Sequence, residues 1–359
     1  CPTQVKRWVS TGSKLLDYCS KNLIKIHGIT CHKNTNKLLK QKTKFKIKSS
    51  FSLSLDNDKI NFVKYIKNNK FKIIYFLDYG SQSLRYLDLI LKNNVNLTLA
   101  IANKEMLIAG GSFLIKRIND TRNNLIPLDS EHFSLYRANP DNSEIKKIYI
   151  TASGGPFYFQ KKINLNNVSL QKVLAHPKWK MGINNSIDSS NFINKILEIY
   201  ELSVIYNIDI EKIDFLVSKE AFIHSLIIFN DNTISINCFT NNMLISLVKP
   251  LTLIFKSKEI YSKYNNIFDV NNFNLIEFND KRFKINKFFN KLKKFNHKEQ
   301  INFMILNNIA HKKYLNGEIK YDHIFDFIMK KAVLIEKEVN FKSFNDILSY
   351  ISLIENKHA

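Results

Sequence analysis

KIIYFLDYGSQSLRYLDLILKNNVNLTLAI, residues 72–101, reads as strand, helix and strand in one short passage. Lys72 to Leu77 and Asn96 to Ile101 are apolar runs of the buried-strand kind, and Leu84 to Leu91 between them has helical spacing. Strand–helix–strand at these lengths implies βαβ units, and so a parallel, doubly wound α/β sheet. Upstream, Lys6 to Val9 is a short strand candidate, followed by Ser10-Thr11-Gly12-Ser13, a helical stretch through Ser20, and a second strand from Leu23 to Thr30. From about Leu125 to Leu253 strands such as Lys147 to Thr151 and Phe222 to Phe229 mix with helices, of which Asp188 to Tyr206 is the clearest. From Phe283 the pattern is helical, broken at Asn316-Gly317, and the Asn-rich stretch Tyr261 to Lys281 reads as a linker before it.

The bulk numbers are those of a globular chain. At 359 residues, 45% hydrophobic and 24% charged, it can bury a substantial core and is long enough for two or three domains. It contains no apolar run near the roughly 20 residues of a membrane span. Cys1 to Val9 has no signal-peptide apolar core, and a starting Cys is expected of a fragment or an unusual start. Cys1, Cys19, Cys31 and Cys238 show neither paired nor zinc-type spacing, which suits reduced thiols in a cytosol-like compartment. The net charge of +23 would attract phosphate backbones. Only Arg7, Arg85, Arg117, Arg122, Arg137 and Arg282 could supply the bidentate fork of nucleic-acid recognition, however, and the lysines are spread among Asn and Ile. A-and-T-rich codon drift accounts for this charge better than a nucleic-acid face does.

Five segments stand out from this monotony: Ala102 to Glu105, Pro127 to His132, Thr151 to Phe157, His176 to Gly182, and Ile187 to Glu198. Asp129 and Glu131 alternate on what reads as an extended chain or loop, so both can reach one hard cation, with Glu198 as a third oxygen ligand. The plain alternative is a solvated acidic turn. Ser153 with Gly154-Gly155 makes a tight turn able to hold an anion. Asn194, Lys195 and Glu198 line one helical face, where the plain reading is an exposed ion pair. His176-Pro177-Lys178-Trp179, closed by Gly182, reads either as a lid excluding water or as a Trp plugging the core. Ser10 to Ser13 before a helix is either a nucleotide loop or a simple cap.

In their order, spacing and residues, the five segments together resemble the 1-deoxy-D-xylulose 5-phosphate reductoisomerase family over about Ser10 to Glu198. A fainter match runs through Ile223-His224-Ser225 and Leu306 to Ile324. The resemblance implies a Rossmann-like NADPH-binding domain (residues 1–124), an α+β catalytic domain (125–260), a linker arm (261–282) and a C-terminal α-helical bundle (283–359), as a homodimer in a bacterial cytoplasm. The host would have an A-and-T-rich reduced genome such as an endosymbiont's; a plastid stroma is the second choice. Asp129, Glu131 and Glu198 would hold Mg²⁺ or Mn²⁺. Ser153, Ser189, Asn194 and Lys195 would bind the substrate phosphate. Lys104 and Ser130 with Glu131 would contact the substrate's other oxygens, and His176 would close over it with Trp179. NADPH would meet Thr11, Gly12, Ser13, Lys14, Asn103, Glu105 and Gly182, with Lys33 and Asn34 near its adenosine end. The implied reaction is a metal-dependent carbon-skeleton rearrangement of 1-deoxy-D-xylulose 5-phosphate followed by reduction with NADPH. In the first loop Lys14-Leu15 stand where the family pattern has Ile-Gly, which leaves a second reading: a folded relic that binds sugar phosphate or nucleotide without turnover.

Overall fold

A computed structural model describes residues 11–178, 181–255, 272–332 and 341–358. The chain begins there with α1 (Thr11–Lys21), β1 (Gly28–Cys31), α2 (Thr35–Lys44), β2 (Ser49–Ser52) and α3 (Asp56–Asn68). It continues with β3 (Ile73–Phe76), α4 (Leu84–Asn93), β4 (Thr98–Ile101), α5 (Lys104–Asp120) and β5 (Asn124–Pro127). All pairings among β1 to β5 are parallel, but the strands form two hydrogen-bonded pieces, β1–β2 and β3–β4–β5. The strand expected from Leu23 starts only at Gly28, because Leu23 has a positive φ and is 93% exposed. The strand expected at Lys6 to Val9 lies outside the described residues.

β4 shows why the opening passage reads as it does. All four of its residues are buried, since helices cover both faces of a parallel sheet. Leu99 and Ile101 join the main core with Leu87, Leu91, Leu107 and Leu114. Ala100, on the opposite face, packs in a second cluster with Leu15 of α1 and with Leu247 and Leu251 of α10 (Leu244–Phe255). The two-residue alternation of a strand thus splits one apolar run between two cores.

After α6 (Ser130–Ala138) the chain builds a five-stranded mixed sheet, in the order β10 (Ile276–Glu277), β7 (Ile213–Val217), β6 (Ile145–Ala152), β8 (Ile223–Phe229), β9 (Ile234–Cys238). Only β6 and β7 pair in parallel, and α7 (Leu170–Val173), α8 (Ile183–Ser190) and α9 (Ile193–Tyr206) lie between them in sequence. The single helix expected over Asp188 to Tyr206 is therefore two. Phe192 breaks it with a left-handed backbone (φ 67°), which lets its ring enter an aromatic cluster with Phe215, Phe278 and Phe283. The described part of the expected linker contributes β10, which pairs with β7.

The tail is helical as expected: α11 (Lys284–Lys293), α12 (His297–Leu315), α13 (His323–Ala332) and α14 (Phe344–His358). α12 starts at an Asn296/Glu299 capping box and packs on α5. There α5 kinks at Gly111 (φ 52°, ψ −150°), and the His297 imidazole lies 2.9 Å from the Ile108 carbonyl that the kink exposes. A β-carbon at Gly111 would come within 2.4 Å of His297 Nε2, so only glycine accepts both the backbone angle and the histidine. Among the described residues no helix is long and apolar enough to cross a membrane.

Candidate active site

The carboxylates come together by helix geometry. Asp129 and Glu131 do not alternate along one extended chain or loop, as expected from the sequence. Asp129 is the N-cap of α6, its Oδ1 accepting the Glu131 backbone N–H at 3.3 Å, and Glu131 sits in the first helical turn. A cap and first-turn acids are what an N-terminus favours, since they meet its free N–H groups and positive dipole end. Glu198 comes from α9, a mostly apolar helix in which Lys195, Glu198 and Glu201 are buried polar residues. One oxygen from each of Asp129, Glu131 and Glu198 lies within 4.8 Å of the others.

Two lysines hold these acids together. Lys195, 7% exposed, donates to Glu131 Oε1 at 2.7 Å and to Glu198 Oε2 at 2.5 Å. Lys104, at the start of α5, donates to Asn194, which in turn donates to Glu198. Burial works against the charge on Lys195, but Glu131 and Glu198 outweigh it and hold its pKa above the ordinary lysine value. Burial likewise opposes ionisation of Asp129, yet His132 and Lys104 keep it well below the usual carboxylate range. Ser130 Oγ donates to Glu131 Oε2 at 2.5 Å. The plain readings, an exposed acidic turn and an exposed ion pair, do not describe these groups, which are partly buried (Asp129, Glu131) or buried (Lys195, Glu198).

The turn at Ser153 to Gly155 packs against Ser189 of α8 and against His176. Gly154 and Gly155 both have positive φ, and a β-carbon on Gly155 would stand 2.6 Å from the Ser189 carbonyl oxygen. Glycine at 155 is what brings the turn onto α8. Ser153 Oγ is 3.1 Å from His176 Nε2. Burial, with Lys195 adding to it, pushes His176 down to about 4, so the ring is neutral at physiological pH. Trp179 lies outside the described residues.

The fold and the sequence comparisons agree. A family model for the 1-deoxy-D-xylulose 5-phosphate reductoisomerase C-terminal domain matches residues 125–206. A curated 1-deoxy-D-xylulose 5-phosphate reductoisomerase from Pelagibacter ubique is 30% identical over 374 aligned positions, covering 96% of this chain and 95% of its own. The chain belongs to the 1-deoxy-D-xylulose 5-phosphate reductoisomerase family. Its fold is also that of solved reductoisomerases at lower identity. One from Zymomonas mobilis in complex with NADPH superposes with a TM-score of 0.82 at 20% identity, covering 98% of this chain and 96% of that one. Another, in complex with NADPH, fosmidomycin and magnesium, gives 0.84 at 20%, covering 97% and 95%.

Of the residues expected at the cofactor, Lys33 and Asn34 follow β1, and Asn103 and Glu105 follow β4, at the C-terminal ends of parallel strands, where doubly wound sheets bind ligands. Gly12 faces Leu77 just after β3, where a β-carbon would lie 3.8 Å from the Leu77 side chain. Ser13 Oγ accepts from Gln41 of α2 at 2.9 Å. Asn103 caps α5 and donates to the Gly80 carbonyl at 2.8 Å, and Glu105 is buried beside it, hydrogen-bonded to the Gly80 backbone. Lys14, Lys33 and Asn34 are exposed, Asn34 as the N-cap of α2, and Gly182, which opens α8, has open space about it. Thr11 opens α1.

The sequence reading gave no role to a second layer behind the carboxylates. His132 is fully buried, with Nε2 2.9 Å from the Glu198 carbonyl. Its Nδ1 lies 3.4 Å from Asp129 Oδ1 and 3.8 Å from Glu201 Oε2. Burial alone would lower its pKa, but Glu201 and Asp129 outweigh that and push it up to about 10. Glu201 is one turn past Glu198 on α9, so Lys195, Glu198 and Glu201 form a buried polar stripe at i, i+3 spacing. That spacing within an apolar helix was the available signal.

Proposed function

We propose that this chain catalyses the NADPH- and divalent-metal-dependent conversion of 1-deoxy-D-xylulose 5-phosphate to 2-C-methyl-D-erythritol 4-phosphate, releasing NADP⁺. The observation that carries this reading is the gathering of Asp129, Glu131 and Glu198 oxygens within 4.8 Å around buried ammonium groups. An all-oxygen carboxylate set suits a small hard cation such as Mg²⁺ or Mn²⁺, and the solved relatives that hold NADPH and magnesium support the same assignment. Bound there, the cation supplies Lewis-acid polarisation of the substrate's ketone and hydroxyl oxygens, and NADPH supplies the two-electron reduction of the rearranged aldehyde.

The chain's own groups do the rest. Lys195 and Asn194, with Ser153 and Ser189, take the phosphate, a group that does not itself react, so that its binding serves orientation. Lys104 and Ser130, with Glu131, meet the substrate's remaining oxygens. Neutral His176, already hydrogen-bonded to Ser153, closes over the substrate with Trp179 and excludes water. NADPH lies along Thr11, Gly12, Ser13, Lys14, Asn103, Glu105 and Gly182, with Lys33 and Asn34 towards its adenosine end. The domain limits are residues 1–124, 125–260, 261–282 and 283–359, with α10 packed back onto the first sheet. The enzyme is a homodimer of the bacterial cytoplasm. The edge strand β9, whose Ile234 and Ile236 are 59% and 54% exposed, supports association.

The test is NADPH consumption by the purified chain with 1-deoxy-D-xylulose 5-phosphate and Mg²⁺ or Mn²⁺. Oxidation that EDTA abolishes is expected. Substrate and nucleotide binding without oxidation would instead establish the relic reading.

A further inference from the structure

Ser189 is flanked on both sides by residues tied to the C-terminal helices. Asp188 is 2% exposed, and its Oδ1 accepts from Asn307 Nδ2 at 2.7 Å and lies 3.1 Å from His311 Nε2. Asn307 and His311 are i,i+4 on α12, so one helical face presents both groups to the same carboxylate. On the other flank, fully buried Ser190 shares a hydrogen bond of 2.9 Å with the Tyr321 hydroxyl, just before α13. Ser189 itself is half-buried, and its carbonyl abuts the Gly154-Gly155 turn.

A buried carboxylate is an expensive way to dock one helix on another, because well-packed apolar side chains hold a contact at least as firmly. What the polar contacts add is direction. They fix the rotation of α8 about its axis, and hence where the residue between the two anchors points. No group in the pair of anchors serves the metal, the cofactor or the substrate in the functional reading above.

We propose that Asp188 with Asn307 and His311, and Ser190 with Tyr321, are positioning residues through which the C-terminal helices aim the Ser189 hydroxyl at the substrate phosphate. Phosphate affinity is thereby set by residues more than a hundred positions along the chain. The inference rests on Ser189 being a phosphate ligand.

The experiment compares Asp188→Asn, Tyr321→Phe and Ser189→Ala with the parent. The measurements are KM and kcat for 1-deoxy-D-xylulose 5-phosphate, inhibition by inorganic phosphate, Mn²⁺ and NADPH affinities, and melting temperature. Asp188→Asn and Tyr321→Phe are expected to raise KM and the phosphate inhibition constant about tenfold, roughly the loss of one hydrogen bond. In both, kcat, Mn²⁺ affinity and NADPH affinity should stay within about threefold of the parent. If Asp188→Asn does not fold, Tyr321→Phe, which removes one hydroxyl, carries the same test. A KM raised by Ser189→Ala but unchanged in both anchor variants overturns the positioning role alone. An unchanged KM in Ser189→Ala removes the phosphate assignment, and the inference with it. Equal weakening of phosphate, Mn²⁺ and NADPH would reveal general loss of structure and also overturn it.

Discussion

Replacing Lys195 with Ala removes the ammonium that bridges Glu131 and Glu198 in a site where it is 7% exposed. Without a divalent cation, three crowded carboxylates then keep Lys104, reaching Glu198 through Asn194, and His132, beside Asp129, as nearby compensation. Breaking a buried ion pair by deleting one partner costs about 3–5 kcal/mol, and the remaining Lys104 and His132 argue for about 3. With roughly 2.1 cal/mol/K of unfolding entropy per residue over 359 residues, that is a drop in melting temperature of about 4 °C. An exposed i,i+3 pair would cost only a few tenths of a kcal/mol, well under a degree. Adding Mn²⁺ at about a hundred times its dissociation constant stabilises the variant by about 2.7 kcal/mol and should restore most of the loss. The same substitution should raise the substrate KM by about 10- to 100-fold, because a charge-assisted contact to phosphate is worth about 1.5–3 kcal/mol. Calorimetry of the metal-free variant with and without Mn²⁺, alongside steady-state kinetics, provides the assay. A metal-free melting temperature unchanged from the parent would show that Lys195 does not hold the acids together, and an unchanged KM would remove it from the phosphate site.

Further expectations follow from other parts of the structure. Glu201→Gln should weaken Mn²⁺ binding about tenfold, measured by calorimetric titration, because Glu201 and Asp129 together fix the buried His132 against the metal carboxylates; an unaltered affinity would make Glu201 a structural group only. Gly155→Ala forces a β-carbon to within 2.6 Å of the Ser189 carbonyl at a φ of +56°, so it should destabilise the fold by about 1–3 kcal/mol and raise the substrate KM; wild-type values for both would contradict the close approach. His297 is kept neutral mainly by burial, which sets its folded pKa below 6.5. A depressed histidine adds stability that is complete above the unfolded pKa and is lost as pH falls from about 6.5 towards the folded value. Urea denaturation of the parent should therefore fall more steeply with acidification over that interval than that of His297→Gln, and parallel curves would show that His297 does not contribute.

The parts of the fold legible in the sequence were those where one helix or strand decides its own pattern. β3, α4 and β4 fall where the apolar runs and helical spacing put them, and the tail breaks at Asn316-Gly317 as its residues indicate. Local backbone departures driven by distant packing were not legible. Phe192 takes a left-handed conformation because residues from β7 and from the segment before α11 receive its ring, and no spacing in Asp188 to Tyr206 announces that. The acids at 129 and 131 converge with Glu198 as expected, but through a helix cap instead of strand alternation. Glu201 was not legible, and His132 only as a companion of the acids in its segment, because their role depends on where α6 meets α9, at the His132–Glu198 contact. The Asp188 contacts depend in the same way on a helix more than a hundred residues further along the chain.

The most direct measurement is the ¹H NMR spectrum of the product formed from 1-deoxy-D-xylulose 5-phosphate, NADPH and Mg²⁺, followed at the substrate's single methyl group. Rearrangement followed by reduction places that methyl on a carbon bearing no hydrogen, so a methyl singlet displaced from its position in the ketone is expected, with one NADPH consumed per product. Simple reduction of the ketone would leave the methyl beside a CH–OH and split it into a doublet. That doublet, or NADPH loss without any new methyl signal, would contradict the assignment of this site to rearrangement and reduction.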